Sequence, residues 1–155
     1  MARVKDVARY FIDLSVESTP YAITPLKLQK LLYYAQGFHL INTGERLFRA
    51  ELEAWAHGPV VREIYFEYKE FGYHTITSKP FINKDLFLET PLLTDGEMAT
   101  IEEVWEHFGD LDGKTLEELT HQEDPWLNTE INDEIEIKLI REYFKEQYQE
   151  NQYQH

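Results

Sequence analysis

A chain of 155 residues with 43% apolar and 14% aromatic content can bury one core without covalent staples and is too short for two full domains. Its lack of cysteine excludes disulfides, thiolate metal sites and a cysteine nucleophile. The net charge of −14 is segregated, with 11 Lys/Arg against 11 Asp/Glu in residues 1–94 and 4 against 18 in residues 95–155. Such a field argues against direct nucleic-acid binding and for a basic protein partner, although the same acidic residues also solvate helix faces. No apolar run reaches bilayer length, and the start MARVKDVARYFIDL lacks the layout of a signal peptide, so the expectation is a soluble cytoplasmic protein without membrane contact.

The elements follow in chain order. Val4, Val7, Ala8, Phe11, Ile12 and Leu14 make an apolar stripe for a first helix that stops near Ser18 to Pro20. Thr24 suits an N-cap and Pro25 a first turn, and Leu28, Leu31, Leu32, Ala35 and Phe38 trace the buried face of a second helix to about Asn42, closed by Thr43 and Gly44. Leu47 to Trp55 partly alternates and reads as a short strand or extended connection. Gly58 and Pro59 suit the opening of a third helix carrying Val60, Ile64 and Phe71 on one face and closed by Gly72. Tyr73 to Leu93, with Pro80 and Pro91, reads as irregular structure with one short hairpin.

Thr94 and Glu97 are spaced as a capping box ahead of Ile101, Val104, Trp105 and Phe108. A short helix around Lys114 to His121 leads to a Pro125/Trp126 corner. The last helix is expected to start near Asn132 or Asp133, with Ile137, Ile140 and Phe144 inward. The fold expected from these elements is mostly α, a compact single-domain helical bundle of about five to six helices with a short strand or hairpin. The domain spans 1–150, and 151–155 form a frayed tail.

Two constellations stand out as candidate contact sites. If the leucines of the second helix point inward, Lys27, Lys30 and Tyr34 share one outer flank and Gln29, Tyr33 and Gln36 another. Lysines in the first turns oppose the helix macrodipole, a local conflict tolerated where the side chain is used elsewhere. That use is either a partner site or pairing with carboxylates of the acidic C-terminal part. The second constellation is Trp55, His57, Gly58 and Pro59. It reads either as a tight turn with Trp55 in the core or as a helix start whose free N–H groups at Val60 and Val61 could receive an anion.

The inventory argues against an enzyme. The six histidines are His39, His57, His74, His107, His121 and His155, and they do not fall into ligand spacings, so no metal or cofactor is expected. Glu51 with Glu53, and His121 with Glu123 and Asp124, are the carboxylate and polar clusters that an enzyme reading would use. No phosphate-binding glycine loop or nucleophile elbow is present.

The stretches Thr24–Gly37 (TPLKLQKLLYYAQG) and Ala54–Tyr65 (AWAHGPVVREIY), with Pro125 and Trp126 further on, resemble the Panacea domain, the SocA-like antitoxin family that also contains phage-associated GepA-like proteins. The resemblance runs from the first helix through the Pro125/Trp126 corner. It implies a non-enzymatic α-helical antitoxin of a bacterial or phage-borne toxin–antitoxin pair. Such a domain neutralises an adjacently encoded toxin by direct binding, and SocA-like members are also associated with delivering a toxin to a protease. Partner-contact residues are then expected at Lys27, Gln29, Lys30, Tyr33, Tyr34, Trp55, His57, Gly58 and Pro59. The reading from another class is a small enzyme built on the Gly58/Pro59 turn, or a phage–host interaction protein. Nothing in the sequence sets the oligomeric state.

Overall fold

The computed structural model describes residues 1–77 and 93–149. Most of the irregular segment expected at Tyr73 to Leu93, including Pro80 and Pro91, and the tail 151–155 lie outside the described residues.

The first helix, α1 (Val4–Leu14), buries its whole predicted stripe except Leu14, which packs at the core edge. The second, α2 (Pro25–Thr43), starts on Thr24, whose side chain accepts from the Lys27 amide. It ends on Gly44 at φ 80°, where a residue with a Cβ would be strained. This helix is not amphipathic: fourteen consecutive residues, Lys27 to Leu40, are buried. It is the axis of the molecule, packed against α1, the hairpin described next and three helices of the C-terminal part.

Strands β1 (Glu53–Trp55) and β2 (Gly58–Val60) form an antiparallel two-residue hairpin with Trp55 opposite Gly58 and Ala54 opposite Pro59. The expectation that Pro59 opens a helix is therefore corrected. Pro59 sits in β2, and α3 (Arg62–Tyr68) begins three residues later. The reason is a distant glutamine: Gln29 accepts from the Val61 amide (2.8 Å) and donates to the Val61 carbonyl (3.2 Å), holding that residue extended. A 3₁₀ turn, Lys69–Phe71, follows α3 and ends at Gly72.

Helix α4 (Asp95–Phe108) carries both arms of the predicted capping box, Thr94 Oγ1 accepting from the Glu97 amide (3.1 Å) and Glu97 Oε1 from the Thr94 amide (2.8 Å). Thr94→Ala removes one arm and is expected to lower stability by about 1 kcal/mol. Chemical denaturation would show it, and an unchanged midpoint would mean that the cap is not used.

Helix α5 (Gly113–Thr120) and the single turn α6 (Asp124–Leu127) occupy the predicted short helix and Pro125/Trp126 corner. Helix α7 (Ile137–Phe144) begins later than the sequence suggested, and a π turn, Lys145–Gln149, extends it. Residues 132–135 are instead recruited by β1. Asn132 N–H donates to the Ala54 carbonyl, Ala54 N–H to Asp133, and Ile135 N–H to Leu52. The described residues thus form a mostly α fold of seven helices and one small sheet. Ile140 and Phe144 of α7 are buried against α2, and Ile137 is partly buried.

Candidate functional site

The polar residues of α2 face inward, so the expected outer flanks are corrected: Lys27, Gln29, Lys30, Tyr33 and Tyr34 are all buried, as is Gln36. Each holds a piece of non-helical chain or an acidic group brought from far along the sequence. Burial without such partners would cost a few kcal/mol per group.

The Lys27 amine donates to the Pro20 carbonyl (3.0 Å) and to the Gly109 carbonyl and lies 5.4 Å from the centroid of Trp105. Gly109 closes α4, so this cation sits at the negative end of α4's dipole. Burial lowers its pKa to about 8, against the pull of Asp110 and Asp112. Trp105 is half-buried and serves as a wall for Lys27 and Tyr21.

One turn later, the fully buried Lys30 donates to the Pro59 carbonyl (2.9 Å) from beneath the hairpin. Burial lowers its pKa to about 7, opposed by Glu117. Gly58 has φ 110°, and a Cβ there would lie 2.8 Å from both Lys30 Cε and Thr120 Oγ1. Glycine is thus required for its backbone and for the passage of the lysine.

Tyr33 and Tyr34 grip a single carboxylate. Tyr33 Oη donates to Glu123 Oε1 (2.8 Å) and Tyr34 Oη to Glu123 Oε2 (2.9 Å). Burial raises the Glu123 pKa to about 7 although both hydroxyls favour the ion. Both phenols are raised above the ordinary tyrosine value, first by burial and then by Glu123. Phe144 of α7 lies against both rings.

The hairpin tip is the exposed end of this framework. His57 projects into solvent and bonds Glu117 through Nδ1 (2.6 Å). The neighbouring backbone is clamped by α5 and α6, with His121 Nε2 against the Ala56 carbonyl (3.0 Å) and Trp126 Nε1 donating to the Trp55 carbonyl (2.8 Å). Trp55 itself is half-buried against Tyr65, their rings 4.9 Å apart. The anion site imagined at the Val60 and Val61 amides does not form, since Val60 pairs in the hairpin and Val61 is taken by Gln29.

Nor do the enzyme clusters assemble. Glu51 pairs with Arg46, Glu53 with Arg62 and the Trp55 indole, and Glu123 turns inward while His121 reaches the hairpin. Among the described residues no group of three or more His, Asp or Glu could hold a metal, and no helix is long and apolar enough to cross a membrane.

The segment that contains the α2 framework, the hairpin and its clamp coincides with a family match: residues 28–127 match the family described as Antitoxin SocA-like, Panacea domain. The chain belongs to this family. Antitoxin SocA of Caulobacter vibrioides (strain NA1000 / CB15N) is 39% identical over 64 residues, which cover 41% of this chain and 34% of that protein. The match therefore spans about a third of the relative's length. No solved structure matches the chain.

Within this Panacea domain, sequence reasoning missed Glu117 altogether, and it named Glu123, Tyr65, His121 and Trp126 without their roles as the tyrosines' carboxylate, the ring beside Trp55 and the clamp on the hairpin. Their roles depend on partners that lie far away in sequence. One local signal was available: α2 contains no Asp or Glu in a chain that has 29 of them. A solvent-facing helix usually mixes both signs.

Proposed function

We propose that this chain is an antitoxin that neutralises an adjacently encoded toxin by direct stoichiometric binding, without catalysis of its own. The observation that carries the reading is the family match across residues 28–127, which includes the hairpin and its α5/α6 clamp. Among the residues singled out in the sequence, Trp55 and His57 are the ones accessible to a partner. Lys27, Gln29, Lys30, Tyr33, Tyr34, Gly58 and Pro59 serve recognition indirectly, by holding the hairpin tip in one shape.

The test is co-expression with the product of the neighbouring reading frame in growing cells. Wild type is expected to restore growth and to co-purify with that product. His57→Ala loses a hydrogen bond to the buried Glu117 carboxylate, worth about 1 to 2 kcal/mol, so it should stay folded with a slightly lower melting temperature and rescue less well. Full rescue by a folded His57→Ala would move the contact off the hairpin tip. Failure of wild type to rescue or co-purify would remove the antitoxin reading itself. The toxin's half-life in rescued cells separates simple binding, where it is unchanged, from delivery to a protease, where it shortens.

A further inference from the structure

Helix α3 buries little of itself. Of its seven residues only Ile64 is buried, while the adjacent Tyr65 and Phe66 are 40% and 54% exposed. The rings continue outward from the hairpin: Trp55 lies 4.9 Å from Tyr65, and Tyr65 meets Phe66 edge-on at 5.3 Å. Core packing does not explain two large aromatics in water on one short helix, and such residues are the usual anchors of protein interfaces.

The charges beside them are specific. Glu63 and Glu67 are exposed on α3 one turn apart, a like-charge spacing that weakens an isolated helix. Neither makes an ion pair among the described residues. Glu53, alongside, is already engaged by Arg62 and the Trp55 indole and adds no free charge. The exposed face of Phe66 already receives a cation: the Lys69 amine sits 5.0 Å from its centroid. An aromatic face with unpaired carboxylates on its own helix attracts ammonium or guanidinium through the ring quadrupole and the local field together.

We propose that the Trp55–Tyr65–Phe66 step is the docking surface for a basic segment of the partner, whose arginine or lysine takes the place of Lys69 on the Phe66 ring. Lys69 is then an internal competitor for the site. The inference rests on the antitoxin reading and adds to it the location of the surface and the chemistry of the segment that meets it.

The experiment measures equilibrium binding of wild type and three variants to the purified product of the neighbouring reading frame. Phe66→Ala is expected to lose affinity roughly tenfold, and Phe66→Leu, which keeps apolar area but has no aromatic face, nearly as much. Lys69→Ala should bind as tightly as wild type or more so. Raising the ionic strength from about 0.1 to about 1 M, which shortens screening from about 10 to about 3 Å, should weaken wild-type binding. Melting curves accompany each variant; if either Phe66 variant melts lower, the Lys69→Ala and salt measurements carry the test.

Wild-type affinity in Phe66→Leu would show a merely apolar contact, and clear loss of affinity in Lys69→Ala would show that Lys69 itself serves the partner. Either result overturns the proposal, as does salt-independent binding. All of these leave the antitoxin reading standing as long as wild type rescues growth. A wild type that neither rescues nor binds takes both down.

Discussion

Replacing Phe144 with alanine is expected to destabilise the protein by about 3 to 5 kcal/mol, the range for deleting a fully buried aromatic ring. Phe144 is completely buried and meets Tyr33, Tyr34 and Phe38 of α2 as well as Tyr148 of the π turn. It fits because α2 has no side chain at Gly37, where a Cβ would come within 2.4 Å of the Phe144 ring.

That close approach makes the prediction sharper. Gly37→Ala alone should be strongly destabilising, because the ring is packed on four sides and cannot withdraw. In a Phe144→Ala background the same change should turn stabilising by up to about 1 kcal/mol, since alanine is the better helix former and the obstacle is gone. Urea denaturation of the two single variants and the double variant measures this reversal. Additive losses would show that α7 does not seat on Gly37.

Stability should also have a local minimum near neutral pH, produced by two buried groups that titrate in adjoining windows. Glu123 has its pKa raised from 4.5 to about 7. Between those values the folded chain keeps a proton that the unfolded chain has released, so stability falls as pH rises through that window. Lys30 has its pKa lowered from 10.5 to about 7. Above pH 7 the folded chain gives up a proton that the unfolded chain still holds, so stability rises again toward 10.5. The full swings are on the order of 3 kcal/mol for Glu123 and 5 kcal/mol for Lys30.

Glu123→Gln should therefore flatten the acid limb and leave the alkaline limb, and Lys30→Met should leave the acid limb and weaken the alkaline one, whose remainder above pH 8 comes from Lys27. The measurement is the difference in unfolding free energy between wild type and each variant from about pH 4 to about pH 11, a range that brackets both windows. A Glu123→Gln profile parallel to that of wild type would mean that the carboxylate is already solvated.

The pattern of legible and illegible features follows from what local sequence encodes. Helix ends were readable because their chemistry is local: Thr24 and Pro25, Gly44, and the Thr94/Glu97 box all act within four residues of themselves. The inner stripes of α1 and α4 were readable because one face of each meets water. The same logic failed on α2. Periodicity assigns polar residues to a solvent face, yet Lys30, Tyr33 and Tyr34 answer to Pro59 and Glu123, 29 to 90 positions away.

The start of α3 failed for a related reason. Gly58 and Pro59 are good helix-opening residues, but the Gln29 amide and the Lys30 amine claim that backbone first. The start of α7 was likewise displaced when 132–135 joined β1. At the candidate site, the turn around Trp55 to Pro59 was visible as a feature, whereas its clamp and the aromatic step on α3 required the assembled fold.

The dependence of α2 on distant partners has a consequence for how the protein is made. Tyr33 leaves the ribosome 90 residues ahead of the carboxylate that satisfies it, and Phe144, which closes the same cluster, comes later still. At about 5 to 20 residues per second, translation of that interval takes roughly 5 to 20 seconds. During it the growing chain has no interior to offer its buried lysines and tyrosines, and long-range closure adds further delay. An incomplete product ending before Phe144 would have no settled hairpin tip to present. The cluster that seats α2 therefore closes only after Phe144 has been made, well after α2 itself.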